Sequence, residues 1–364
     1  MTKYVAIFDT LRQEILGGKF ATCTRFPSEE ALVRRFGVSR PTVERALREL
    51  KRTGLLVSRA GSGSYLSVMA HKATGAIGLI VPDYQRIDFF TSLCTEIARI
   101  CHDHGYSVLL GDVSTPNPSL RENWTQALAQ TYVTQSVAGV ILEPIDLVDG
   151  SSAATLAALK ILKRARIPVV LVDRDIEPPP HRSVYDLIGI DNVQAGYRIA
   201  QHLLACGARR IRFLTEAQPA STIRQRIQGV AQAVLDAGGT WRTSYVLEFD
   251  PEDGNALKRL FTGKRRPDAV VCRNDALAAR LIRELTDLQV DIPQAVRIAG
   301  FDDATFARSL TPPLTSIRQP VARIAETATQ ALLDRIRKPE TPPKSILFDA
   351  DLICRASTVG HVKA

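Results

Sequence analysis

The stretch from Phe26 to Leu66, FPSEEALVRRFGVSRPTVERALRELKRTGLLVSRAGSGSYL, places arginines and hydroxyls on short elements punctuated by glycine. Arg40 and Thr42 stand at the start of a helix, where side chains reach base edges in a DNA major groove and where the helix dipole favours a phosphate. Arg59 stands at the base of the flexible run Gly61-Ser62-Gly63. Chemistry of this kind needs a frame. Ser28 can accept from the first unpaired amides of a helix beginning at Glu29, and Ala31, Leu32 and Phe36 recur on it at helical spacing. Gly37 suits the left-handed residue that closes such a helix. Val38 reads as a staple and Ser39 as the cap of the next helix, whose Val43, Ala46, Leu47 and Leu50 form one apolar face. Gly54 ends it. Leu55-Leu56-Val57 and the run from Tyr65 to Val68 read as strands around a tip spanning Arg59 to Ser64. Upstream, YVAIFDTLRQEIL forms a further amphipathic helix through Val5, Phe8, Leu11, Ile15 and Leu16, stopped by Gly17-Gly18. Together these elements make a winged helix-turn-helix.

Charge agrees with that reading. The chain of 364 residues has a formal charge of +9. Residues 1–70 carry 12 Lys and Arg against 6 Asp and Glu, whereas the remainder carries 35 against 32. The excess therefore sits on a small polyanion-binding module attached to a larger, nearly neutral one. The overall content, 45% hydrophobic and 23% charged, is ordinary for a globular protein. No apolar run approaches the roughly 18 residues that span a bilayer. Met1-Thr2-Lys3-Tyr4 runs straight into an amphipathic helix, so no secretory leader is read and a cytoplasmic location is expected. The 6 cysteines stand apart with no C-x-x-C, which points to buried free thiols rather than zinc or disulfides.

Beyond the connector at residues 71–75 the texture changes. Apolar runs such as Ala76–Val81, Gly139–Leu142 and Val169–Val172 alternate with amphipathic helices, and the pattern restarts after Val184 with Leu187–Ile190, Arg210–Leu214, Ala269–Cys272 and Val296–Gly300. Continuous β-branched runs between helices mean parallel strands buried on both faces, here in two α/β lobes. Asp191-Asn192 reads as a turn and helix cap.

The first stretch resembles the GntR family of bacterial transcription regulators, whose pattern runs PSExxLxxxFGVSRxTVxxALxxLxxxGLxxxxxGxGxxV, over residues 4 to about 68. The resemblance implies DNA contacts from Ser28, Glu30, Arg34, Ser39, Arg40, Pro41, Thr42, Glu44 and Arg45, and at the wing from Arg59, Gly61, Ser62 and Gly63. Glu30 and Glu44 replace basic residues that are frequent in the family. A carboxylate cannot neutralise a phosphate but can accept from cytosine N4. Phosphate contacts would then fall to Arg34, Arg35, Arg45 and Arg48.

From about Gly75 to Gly360 the chain resembles the effector domain of the LacI family and the related periplasmic ribose-binding proteins. The segments VPDYQRIDFFTSL, GVILEP, VVLVDRD, IGIDNVQAGYRIAQHL, IRQRIQGV, VVCRNDALA, IAGFDDATFARSLTPPLTSIRQP and LICRAST carry that likeness. The combination resembles the arabinose-regulator subgroup. The implied domains are a reader at 1–70, a linker at 71–75 and an effector domain at 76–360. Its lobes would be about 76–175 with 319–345, and about 176–318 with 346–360. Transferred residue by residue, the ribose-binding pattern puts Phe89, Phe90 and Phe249 against a sugar ring. Asp173, Arg174, Arg226, Asn274, Asp302 and Gln319 would hold its hydroxyls. Glu143 stands where the ribose binders carry asparagine, which implies a different hydroxyl pattern or substituent at that corner.

The expected function is a repressor that binds double-stranded operator DNA as a homodimer and responds to a monosaccharide between its lobes, with no cofactor, metal or membrane. A dimer follows because one half-site supplies too little affinity and palindromic operators mirror two-fold symmetry. The alternative is a GntR-type reader fused to an enzyme-like α/β domain that takes a nucleotide or another non-sugar metabolite. Against it, no G-x-G-x-x-G follows the first strand and no G-x-x-x-x-G-K-[ST] occurs.

Overall fold

The computed structural model describes residues 3–16, 20, 26–52, 55–59, 63–66, 75–82, 88–111, 113, 118–145, 153–215, 217, 219–248, 254–263 and 266–359. At the N-terminal end α1 (Lys3–Leu16), α2 (Glu29–Phe36) and α3 (Arg40–Arg52) precede a two-stranded hairpin, β1 (Leu56–Arg59) and β2 (Gly63–Leu66). The Ser28 hydroxyl accepts from the Ala31 amide at 3.3 Å, and Gly37 closes α2 at φ 62° with its N–H on the Val33 carbonyl. Val43, Ala46, Leu47 and Leu50 are buried, as their spacing requires. On α1 the buried stripe runs through Ile7, Leu11 and Ile15, one turn apart each time, while Val5 and Phe8 are half-buried. The hairpin pairs from Leu56↔Leu66 to Arg59↔Gly63. Its ladder therefore reaches two residues further than expected, and the tip shrinks from Arg59–Ser64 to 60–62, which lie outside the described residues. The Phe26 amide donates to the Ser64 carbonyl at 2.9 Å and ties the wing to the start of α2.

The larger domain has two lobes. In the first, β3 (Ala76–Ile80), β4 (Ser107–Gly111), β5 (Gly139–Leu142), β6 (Val169–Val172), β7 (Asp186–Ile190) and β13 (Ser345–Phe348) form one parallel sheet ordered β13-β7-β6-β5-β3-β4. It carries α4 (Asp88–Asp103), α5 (Pro118–Thr134), α6 (Ala153–Arg164) and α11 (Val321–Arg337). The second sheet is ordered β14-β12-β11-β10-β8-β9. It comprises β8 (Ile211–Thr215), β9 (Val246–Glu248), β10 (Ala269–Cys272), β11 (Arg297–Phe301), β12 (Thr315–Arg318) and β14 (Asp351–Ile353), with α7 (Asn192–Ala205), α8 (Ser221–Asp236), α9 (Gly254–Thr262) and α10 (Asp275–Asp287). Both sheets repeat one plan, in which the second strand of the lobe lies outside the first and the third lies on its other side. They differ at one edge, where β13 is parallel to β7 but β14 is antiparallel to β12.

The lobe boundaries need correction. β7 pairs with β6, and Asp186 at its start holds Arg335 of α11 through two hydrogen bonds of 2.6 and 3.0 Å. The first lobe thus continues to Ile190 instead of stopping at 175, and the chain crosses as it enters α7. β13 likewise belongs to the first sheet, so the last crossing falls after Phe348 and not at 345. Hydrogen bonding between strands, which no local pattern encodes, decides both points.

Two pairs of glycines and backbones set the second lobe's geometry. A Cβ on Gly196 of α7 would stand 2.1 Å from the Arg226 carbonyl, and one on Gly229 of α8 would stand 1.9 Å from the Val193 carbonyl. The two helices therefore cross in backbone contact.

Candidate functional site

A cavity of about 550 Å³ opens between the lobes at the carboxyl ends of both sheets. Open α/β sheets place ligands where the strand order reverses. Here that point lies between β3 and β5 in one lobe and between β8 and β10 in the other. Glu143 follows β5, and Arg273 with Asn274 follows β10. Asp173 and Asp302 follow β6 and β11, the fourth strand of each lobe, so they occupy equivalent positions facing one cleft. Both are left-handed, at φ 68° and 102°. Each donates its backbone N–H to the neighbouring strand, Asp173 to Ile188 at 3.0 Å and Asp302 to Ile317 at 2.8 Å. Non-glycine residues held in this region are strained, and such strain concentrates at functional sites.

The two cleft arginines named from the sequence have different surroundings. Arg174 donates to Asp173 at 2.9 Å and to Glu143 at 2.9 Å, so both carboxylates share its charge. Arg226, only 4% exposed, donates to the Asn192 amide oxygen at 2.8 Å and to the Arg273 carbonyl at 2.7 Å, and its guanidinium lies 4.3 Å from the centre of the Phe301 ring. These partners are neutral. Burial lowers its pKa, offset in part by the fields of Asp302 and Asp173. Asp302 moves the opposite way, raised by burial against the opposing pull of Arg226 and a 2.8 Å hydrogen bond from Gln319. Behind it, buried Asp275 accepts from the Ser316 hydroxyl at 2.6 Å and the Ala304 amide at 2.8 Å. Burial, reinforced by Asp302, pushes Asp275 up to about 8.

Phe89 and Phe90, near the start of α4, pack edge-on with centroids 5.0 Å apart and contribute to the cavity wall and to the core. Asn274 also lines the cavity, and its side-chain oxygen caps α10 at Leu277. Gln319 lies at the second crossing between lobes. The structure thus gathers nine of the ten expected residues around one space; Phe249 lies outside the described residues. Sequence reasoning missed several others. Arg273 flanks Asn274 at the end of β10. Arg280 stands one turn beyond Ala276 on α10. Thr215 closes β8, and Asn192, read as a capping residue, instead positions Arg226 while Asp191 caps α7. Across the mouth, Asp88 accepts from the Thr305 amide at 3.0 Å and from its hydroxyl at 2.7 Å, joining the lobes directly.

On the small domain, Arg40 is exposed and its guanidinium lies 3.1 Å from Glu29 and 3.3 Å from Glu44. The Ser39 and Thr42 hydroxyls share a 2.9 Å hydrogen bond, so Ser39 engages a side chain where a backbone cap was expected. Glu30, Arg34, Pro41 and Arg48 are exposed. Arg45 stacks 4.1 Å over the Tyr4 ring. Arg35 is paired with Glu14 of α1, which ties the two helices together. Arg59 and Gly63 form the last pair of the wing ladder, while Gly61 and Ser62 lie outside the described residues.

Residues 3–66 match the bacterial regulatory proteins of the gntR family, and residues 200–358 match the periplasmic binding protein-like domain. The chain is 30% identical to the HTH-type transcriptional repressor PurR of Haemophilus influenzae (strain PittEE), over 72% of this chain and 74% of that one. It belongs to the GntR-type transcription regulators with a LacI-like effector domain. The arabinose metabolism transcriptional repressor of Geobacillus stearothermophilus is 26% identical over 98% of each chain, so the same pairing of domains extends end to end. Among solved structures, a LacI family transcriptional regulator from Enterococcus faecium with bound ribose superposes with a TM-score of 0.64 at 24% identity, covering 78% of this chain and 98% of that one. The regulator is a DNA-binding protein and not an enzyme. Among its described residues no group of His, Cys, Asp and Glu is arranged to hold a metal, and no helix is long and apolar enough to cross a membrane.

Proposed function

We propose that this regulator is a cytoplasmic repressor, acting as a homodimer, whose hold on its operator is controlled by a monosaccharide bound between the lobes. One observation carries the reading: two aspartates at equivalent strand ends of the two lobes, with two arginines, a glutamine and two phenylalanines, line a single cleft. That inventory matches a sugar's needs, because each buried hydroxyl wants a partner and the C–H face wants an aromatic wall. The ribose held by the Enterococcus faecium protein supports the ligand class. Asp88 and Thr305 already bridge the lobes, so a ligand that prefers the closed cleft shifts the equilibrium by its differential affinity for that state. On the reader, Arg40, Thr42 and the exposed Arg34 and Arg48 face operator DNA, and Glu44 selects a cytosine. Leu110, Leu120, Trp124 and Leu156, exposed on neighbouring elements of the first lobe, support pairing with a second copy.

A thermal-shift screen of monosaccharides, followed by calorimetric titration of the best, tests the reading. Arg226→Ala should abolish sugar-induced stabilisation while operator binding persists, because deleting the guanidinium loses hydrogen bonds of roughly 1–3 kcal/mol each to a buried ligand. Equal sugar affinity in Arg226→Ala would show that the ligand lies elsewhere or is not a sugar.

A further inference from the structure

Away from the chain crossings the lobes meet across the mouth of the cleft. Asp88, the first residue of α4, accepts there through one carboxylate oxygen from the Thr305 amide at 3.0 Å and from the Thr305 hydroxyl at 2.7 Å. Asp88 is half-buried and Thr305 exposed, so the contact lies at the rim. A carboxylate that takes two donors makes charge-assisted bonds, which are stronger than bonds between neutral groups.

Both partners are continuous with the cleft wall. Phe89 and Phe90, which line the cavity, follow Asp88 directly, and Asp302, which also lines it, stands three residues before Thr305. The run 302–305 is braced on its own lobe residue by residue. The Asp302 amide donates to the Ile317 carbonyl at 2.8 Å, the Asp303 amide to the Ser316 hydroxyl at 3.0 Å and the Ala304 amide to Asp275 at 2.8 Å. The Asp303 carboxylate lies 2.6 Å from Arg318 and 2.6 Å from Arg355. Asp302 and Asp303 are both left-handed, at φ 102° and 49°. Strained backbone of this kind persists where the surroundings over-determine it, as these bonds do. The fourth amide of the run, that of Thr305, goes to the other lobe instead. A segment so braced cannot stretch toward Asp88 by itself, so the contact forms when the second lobe swings in as a body.

We infer that Asp88 and Thr305 are a latch that holds the cleft closed before any effector enters, so the resting regulator is a closed one that must open to load. The inference takes the cleft as the effector site from the reading above, but does not depend on the effector being a sugar. A contact made in the closed state alone biases the ligand-free population toward that state, and its removal shifts the population toward the open one.

The full chain without ligand tests the latch, using the arginine reagent phenylglyoxal and peptide mass spectrometry. Arg174 and Arg226 line the cleft and are largely buried, whereas Arg40 is exposed on the reader and serves as the internal reference. Asp88→Ala removes both bonds and should speed modification of Arg174 and Arg226 about fivefold or more, with Arg40 unchanged. Thr305→Ala keeps the amide donor and should give a smaller rise. Asp88→Asn keeps an acceptor and should stay closer to the parent than Asp88→Ala does. In small-angle scattering at equal oligomeric state, Asp88→Ala should have a larger radius of gyration than the parent. Unchanged rates at the cleft arginines in both Asp88→Ala and Thr305→Ala overturn the latch. Faster modification with no increase in radius overturns it too, because the rim has then frayed without the lobes parting. These outcomes are independent of the monosaccharide screen, so a failed screen removes the sugar reading and leaves the latch standing.

Discussion

The two lobes of the effector domain share a strand plan yet treat buried charge in opposite ways. The first neutralises its arginine internally: Arg174 lies 2.7 Å from Asp173 and 2.9 Å from Glu143. The second surrounds Arg226 with an amide, a carbonyl and an aromatic ring, and leaves its acids Asp302 and Asp275 with raised pKa values. One wall pairs its arginine with carboxylates; the other holds its arginine among neutral groups. Position in a repeated topology therefore predicts where site residues fall, but not how their charges are settled.

The sharpest way to break this comparison is to remove each arginine in turn. Arg174→Met strands two buried carboxylates and should lower stability by roughly 3 kcal/mol, the scale for breaking a buried pair. Arg226→Met removes a buried charge whose hydrogen-bond partners are neutral and should cost less, on the order of 1 kcal/mol, for the acceptors it leaves unmet. Urea denaturation of both variants decides the point, and equal losses would erase the distinction. Gly229→Ala comes next. Its Cβ would meet the Val193 carbonyl at 1.9 Å, forcing α7 and α8 apart and separating Arg226 from Asn192. A loss of about 2 kcal/mol is expected from overpacking, with sugar-induced stabilisation reduced in the same variant.

A smaller effect concerns pH. Asp275 is pushed up to about 8 in the folded protein from an ordinary 3.8. The folded state therefore keeps a proton that the unfolded chain releases, so this group's contribution to stability is full below about pH 4 and is lost as pH rises toward 8. Asp275→Asn should flatten that decline, with the variant gaining on the parent at pH 8 relative to pH 5 in thermal denaturation. A parallel decline in both proteins would remove Asp275 from the account. The smallest change in stability is expected outside the lobes. Arg40 makes only exposed ion pairs with Glu29 and Glu44, so Arg40→Ala should alter stability by less than about 0.5 kcal/mol. The same variant should lose roughly 1–3 kcal/mol of specific operator binding, read by fluorescence anisotropy.

Much of this molecule was legible beforehand because its signals are local. The Ser28 cap, the Gly37 terminator and the apolar face of α3 need only a few neighbouring residues to be read. The resemblance to the ribose-binding proteins reached Asp173, Asp302 and Asn274 for the same reason, through short recognisable segments. What escaped depends on distant partners. β7 follows a long connection from β6, and its membership of the first sheet is settled by pairing with that strand and by Arg335. Asn192 has the spacing of a capping residue, and nothing nearby announces that its amide holds a guanidinium 34 positions away. Thr215 looks like the end of any buried strand. The Arg35 pairing with Glu14 likewise spans two helices and 21 positions.

The late edge strands have a consequence for biosynthesis. β13 completes the first sheet and β14 the second, and both lie within residues 345–353. The reader, confined to the first 70 residues or so, can fold while the rest is still being translated, in keeping with the tendency of domains to fold as units from the N-terminus. Neither lobe has that option. A nascent chain halted at residue 340 lacks an edge of both sheets, so the two lobes finish together, after their shared tail has cleared the ribosome. The reader is thus folded before either lobe is complete.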